Sequence, residues 1–121
     1  MEINCLTMVP KKNRLQKKTE IVRVFKKGKG FKEDFLTLKT AKNDLKFSRF
    51  GFVVSQKVSK KATVRNKIKR VLREIIEKNL PLIKKGNDVL IITLPGLEIK
   101  DFWEFKDVCD RLLERANLIR G

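Results

Sequence analysis

Between Lys57 and Arg73 the chain carries eight lysines and arginines and no acidic residue. Threaded through the same stretch and just beyond it are Ile68, Val71, Leu72, Ile75 and Ile76, spaced by threes and fours. At 100° per residue these aliphatics form one wall of an α-helix. Arg65, Asn66, Lys69, Arg70 and Arg73 form an adjoining strip about 140° wide, with Lys67 off its centre. A strand would scatter both sets over two faces. The segment 62–80 is therefore predicted to be an amphipathic helix with its aliphatic wall on a core and its cations in the open.

A folded domain meets self-repulsion from charge stacked this way, so the strip implies an anionic partner. The wider charge distribution agrees. Residues 1–73 hold 22 bases and 5 acids, residues 74–121 hold 8 bases and 9 acids, and the whole chain of 121 residues carries +16. Solubility alone needs a magnitude of only about 2–8. Arginine can fork bidentately onto phosphate, and Asn66 can read a base edge or a ribose. A nucleic acid fits these features better than an anionic membrane does. No stretch approaches the length of a transmembrane span, and the N-terminus lacks the pattern of a signal peptide.

The chain has no histidine. The commonest neutral-pH acid/base, the Ser-His and Cys-His nucleophile pairs and His-ligated zinc are thereby excluded. A two-metal nuclease would need converging carboxylates, and residues 1–73 offer only Glu2, Glu20, Glu33, Asp34 and Asp44. Cys5 and Cys109 are far apart and form no Cys-x-x-Cys motif, which fits a reducing cytosol and hence a cytoplasmic protein. Cys109 reads as a small apolar residue in a helix and Cys5 as a tail thiol.

The length predicts a single domain over 1–121, with 1–18 a polar, basic lead-in. A short helix is expected from Thr19, as N-cap, to a stop at Gly28, followed by a turn in KKGKGF. That glycine pair lacks the ending of a phosphate-binding P-loop, so its lysines read as backbone contacts. FLTLKTA (35–41) and KFSRFGFVVSQKV (46–58) read as an antiparallel strand pair turning at Asn43–Asp44. Their outer face would carry Thr37, Lys39, Val53, Ser55 and Lys57. Pro81 ends the cationic helix, and DVLIITL reads as a strand buried on both faces, parallel to the one before the helix. Asp101 with Glu104 resembles a capping box for a last helix whose inward face is Phe102, Phe105, Val108, Cys109, Leu112 and Ala116. The fold class is α+β, two layers in the order α-β-β-(β)-α-β-α around a small mixed sheet.

The run Arg65-Asn66-Lys67-x-Lys69-Arg70-x-x-Arg73-Glu74 closely resembles the signature of the bacterial ribonuclease P protein subunit, usually R-N-R-x-K-R-x-x-R-E. The resemblance covers about residues 8–116 and includes PKKNRLQKKTEIVRVFKKGKGF, RFGFVVSQKVSKKATVRN and KKGNDVLIIT. Lys67 stands where the family more often has arginine, keeping the charge without the fork. Gln56 stands in a stretch where a second lysine is usual. Family members commonly begin near Met8, so residues 1–7 read either as an extension or as the product of a misplaced start.

The resemblance implies a ribosomal-protein-like domain with a left-handed β-α-β crossover, against the usual right hand. It also implies a protein that joins a catalytic RNA in removing the 5′ leader of precursor tRNA. The RNA and its Mg²⁺ would do the chemistry, the protein binding no metal tightly, supplying no catalytic residue and needing no protein oligomer. The signature helix would contact the RNA, helped by Lys57, Lys60, Lys61, Lys26, Lys27, Lys29 and Arg14. Phe25, Phe31, Thr37, Lys39, Val53 and Ser55 would form the leader cleft, although packing in the core is an equal reading of Phe25 and the favoured reading of Phe31. The alternatives are a ribosomal or other RNA-scaffolding protein and an autonomous metal-dependent nuclease.

Overall fold

The computed structural model describes residues 11–95 and 102–119. Three helices and four strands follow one another as α1 (Lys18–Lys27), β1 (Lys29–Glu33), β2 (Leu36–Lys42), β3 (Arg49–Val54), α2 (Ala62–Asn79), β4 (Asn87–Thr93) and α3 (Phe102–Arg115). This is the expected α+β order, with the optional strand realised as β1. The strands form one mixed sheet in the order β1-β2-β4-β3.

The strand order corrects the expected hairpin. β2 and β3 do turn at Asn43–Asp44, where Asp44 takes a positive φ of 59° and Asn43 Oδ1 accepts from the Leu45 amide at 2.7 Å. They do not pair, because β4 lies between them, antiparallel to β2 and parallel to β3. A central strand covered on both faces buries a continuous apolar run, and Val89, Leu90 and Ile91 are fully buried. Ile92 departs from the expectation by remaining half-buried. β1, predicted to be only a turn, pairs antiparallel with β2 through a tight connection at Asp34, whose φ is 48°.

Register divides the sheet into two faces. Leu36, Leu38, Phe50, Val54, Val89 and Ile91 point toward α2 and α3, where Leu72, Ile75, Ile76, Phe105, Val108, Cys109, Leu112 and Leu113 complete the main core. Leu113 completes an inward face on which Phe102 and Ala116 are only partly buried. Burial pushes the Cys109 thiol up to about 12, as expected for a packed apolar side chain. Just beyond the end of α3, Asn117 takes a φ of 60° that lets the Leu118 amide donate to the Leu113 carbonyl at 2.9 Å. The Asp101 cap lies outside the described residues, as does Cys5.

The opposite face carries a smaller cluster of Leu15, Val24 and Leu90, with Ile21, Ala41, Val53 and Ile92 at its margin. Leu15 shows that the lead-in is more than a tail. Lys11–Asn13 form a 3-10 turn, the Leu15 amide donates to the Phe50 carbonyl at 2.8 Å, and the segment covers the free edge of β3. Gly51 permits this approach, since a Cβ there would stand 3.1 Å from the Leu15 carbonyl oxygen. α1 begins one residue before Thr19, with Lys17 at the cap position and no side-chain cap, and stops at Gly28 as predicted.

α1, the sheet and the loop after β2 are joined through one carboxylate. Asp88 is fully buried and accepts from Arg49 Nε (2.8 Å), Arg49 Nη2 (2.7 Å), Asn43 Nδ2 (2.8 Å) and Arg23 Nη2 (2.7 Å). Arg49 also reaches Glu20 at 2.7 Å.

Candidate nucleic-acid interface

α2 divides as its periodicity requires. Ile68, Leu72, Ile75 and Ile76 are buried, Asn66, Lys67 and Arg70 are exposed, and Arg65, Lys69 and Arg73 are intermediate. The first turn contains no acid and its Lys61 cap position makes no side-chain bond, so the positive end of the helix dipole stands beside Lys60 and Lys61. The side chains of Asn66, Lys67, Lys69 and Arg70 make no hydrogen bond or ion pair with any described residue. They are free to meet an external anion.

Arg65 also has work inside the protein, and Arg73 is perturbed by its surroundings. Arg65 Nη1 donates to the Ser59 carbonyl at 2.9 Å, bracing the loop that feeds the helix. Burial, followed by the positive charge of nearby Arg14, lowers the pKa of Arg73. The lead-in thus brings a further guanidinium alongside the strip, and a phosphate near the pair would relieve their repulsion. Lys57 is exposed in the same loop, whose turn is closed by donation from the Lys57 amide to Ser55 Oγ at 3.2 Å.

A second surface lies on the α1 face of the sheet. Lys32, Thr37, Ile92 and Val53 form one row across all four strands, with Thr37, Ile92 and Val53 half-buried. Phe25 projects from α1 at the margin of this face with half its surface exposed. Lys39 holds it there, donating from Nζ to the Phe25 carbonyl at 2.7 Å and lying 4.5 Å from the ring centroid. The result is an aromatic face backed by a cation, beside a shallow apolar row. Lys26, Lys27 and Lys29 are exposed around the end of α1.

The predicted cleft residues are therefore not all together. Phe25, Thr37, Lys39 and Val53 share the α1 face, and Ser55 follows at the end of β3 where the loop to α2 begins. Phe31 lies opposite buried Leu38 and packs against the main core on the other face, flanked by Lys29 Nζ (5.7 Å) and Arg115 (6.0 Å). Alternation along β1 separates it from Phe25. Ile92 and Lys32 join the row and were missed. Ile92 sits in an all-apolar run that conceals its half-open position, whereas Lys32 could have been found only by recognising β1.

The Ribonuclease P family model matches residues 9–117 of this chain. The chain belongs to the ribonuclease P protein family. The ribonuclease P protein component of Thermotoga maritima is 37% identical over 109 residues, covering 87% of this chain and 92% of its own. That of Synechocystis is 38% identical over 112 residues, covering 92% and 90%. Among solved structures, the Thermotoga maritima RNase P protein superimposes with a TM-score of 0.77 at 37% identity, covering 89% of this chain and 98% of its own. The Staphylococcus aureus RNase P protein gives 0.82 at 25% identity over 89% and 98%. The chain is therefore a protein subunit of a tRNA-processing endoribonuclease. No helix among the described residues is long and apolar enough to cross a membrane.

Proposed function

We propose that the chain holds the catalytic RNA of ribonuclease P on the α2 strip and the single-stranded 5′ leader of precursor tRNA on the α1 face. Hydrolysis is left to the RNA and its Mg²⁺. The observation that carries this reading is the pairing of two unlike surfaces at one end of the sheet. β3 runs out through Val53 and Ser55 into the loop that starts the cationic helix. One surface suits a folded phosphate backbone, being cationic and rigid. The other suits an unpaired strand, being shallow, half apolar and headed by an aromatic face.

The protein's own chemistry supports the division of labour. The sequence has no histidine, and among the described residues no three acidic or thiol side chains gather to hold a metal ion. In this reading Mg²⁺ belongs to the RNA, and no step is given to a protein side chain. A cytoplasmic site of action belongs to the same reading.

The test is cleavage of precursor tRNA at low Mg²⁺ by the protein alone, the catalytic RNA alone and the two together. Stimulation of the RNA by an otherwise inactive protein is expected. Cleavage by protein alone would overturn the reading, and absence of stimulation would leave an RNA scaffold. Phe25→Ala should selectively weaken leader-bearing over mature tRNA, by the roughly 1–3 kcal/mol of one base–aromatic stack. Phe25 is 50% exposed, so circular dichroism should be unchanged. Equal weakening for both tRNAs would remove Phe25 from the leader site.

A further inference from the structure

Three lysines outside both surfaces converge at the other end of the sheet, where β3 and β4 begin. Lys12, Lys46 and Lys85 line a cleft of about 490 Å³ together with Phe47, Pro81 and Ile83, and no acidic side chain among the described residues lines it. α2 must return from the end of β3 to the start of β4, so the cleft stands near its C-terminal end. Arg65 and Leu80 are about 22 Å apart along the helix at 1.5 Å per residue.

The walls are fixed by buried polar groups. Asn13 Nδ2 donates to the Ser48 carbonyl at 2.6 Å, and Ser48 Oγ donates to the Lys84 carbonyl at 2.7 Å while accepting from the Asn87 amide at 3.0 Å. Asn13 and Ser48 are almost completely buried. These bonds bind the lead-in, the approach to β3 and the approach to β4 into one preformed rim. Phe47, half-buried on that rim, has Lys12 Nζ 5.6 Å from its ring centroid.

We infer that this cleft takes one unpaired nucleotide of a bound RNA strand, the base against Phe47 and Pro81 and the phosphate among Lys12, Lys46 and Lys85. The chemistry of the lining selects this occupant. An apolar peptide would leave three ammonium groups unanswered, and a basic peptide would be repelled. A bare phosphate would leave the aromatic wall unused. The volume is within the range of small-ligand sites. A smaller cleft of about 230 Å³ shares Lys12 and Phe47 and is also lined by Lys17 and Arg49, which gives the strand a cationic continuation. Glu20 lines it too but is held by Arg49 at 2.7 Å. The inference rests on the RNA-binding reading of α2 and adds a third contact at the far end of that helix.

The test is titration of the ¹⁵N-labelled full chain with hexauridylate, with inorganic phosphate as a parallel arm. The amides of Phe47 and Ser48 should shift together with those of α2. Lys46 and Lys85 are exposed, so a Lys46→Ala/Lys85→Ala variant should fold normally. It should lose the Phe47 and Ser48 shifts, keep those of α2 and bind hexauridylate about three- to tenfold more weakly. Phe47→Leu should weaken hexauridylate while leaving phosphate unaffected. Shifts confined to α2 and the α1 face, or a double variant with unchanged affinity, would overturn the inference. Inorganic phosphate reproducing the cleft shifts would also overturn it, leaving an adventitious ion only. Cleft shifts without α2 shifts would support the cleft while refuting the α2 reading.

Discussion

Asp88→Ala is expected to lower folding stability by about 3–5 kcal/mol, the cost of breaking a buried ion pair from one side. A small domain has only about 5–15 kcal/mol in all. The carboxylate is fully buried and accepts four hydrogen bonds, from Arg49, Arg23 and Asn43. Removing it strands the Arg49 guanidinium, whose pKa is raised chiefly by its hydrogen bond to Asp88, partly offset by burial. Glu20 would remain as a partner for one Arg49 nitrogen but could not replace the two bonds to Asp88. The loss should appear as a lower urea midpoint with an unchanged slope.

Asp88 also predicts the acid limb of the stability curve. Desolvation pushes its carboxyl up, but hydrogen bonds from Arg49 and Asn43, the Arg49 charge and Arg23 outweigh it, leaving the pKa below the usual value of 3.8. A carboxyl depressed in the folded state contributes stability fully above its unfolded pKa and loses it as pH falls through the folded one. Wild-type protein should therefore lose stability below about pH 4, and Asp88→Ala should flatten that limb. Parallel acid limbs in the two proteins would remove Asp88 as the source.

The second large effect concerns RNA. Lys69→Ala, Arg70→Ala and Arg73→Ala combined should reduce affinity for the catalytic RNA by about 1.5–3 kcal/mol per lost contact. The slope of log affinity against log salt should fall by roughly 2–3 if all three meet phosphates. Lys69 and Arg70 have no described partner inside the protein, and alanine favours the helix, so the fold should hold. Arg65 is kept out of this set because its bond to the Ser59 carbonyl would confound binding with loop structure. An unchanged salt slope would reduce the three to bystander charge.

Much of α2 was legible because a helix brings residues three and four apart together, and no tertiary information is needed to place Ile68 and Leu72 on one wall and Lys69 and Arg73 beside it. Gly28 as a stop and Pro81 at the end of α2 were legible for the same local reasons, and the parallel pairing of β3 with β4 from the helix that connects them. The hairpin prediction failed because a turn at Asn43–Asp44 fixes a change of direction without fixing the neighbour. β4, more than thirty residues later, offered a better apolar partner to both strands. Thr19 failed as a cap because its neighbours already carry the helix one residue further back.

The sequence by itself determined that one half of the chain is polycationic, that α2 separates oil from charge, and that histidine chemistry is absent. These follow from residue identity and local period, which no packing can alter. Only the tertiary structure decided that Phe25 and Phe31 lie on opposite faces, that Leu15 belongs to the core, and that Lys12, Lys46 and Lys85 meet around Phe47. Those outcomes depend on strand order and register. Burial of apolar surface is non-directional, so alternating residues specify a face without specifying which distant strand will cover or extend it.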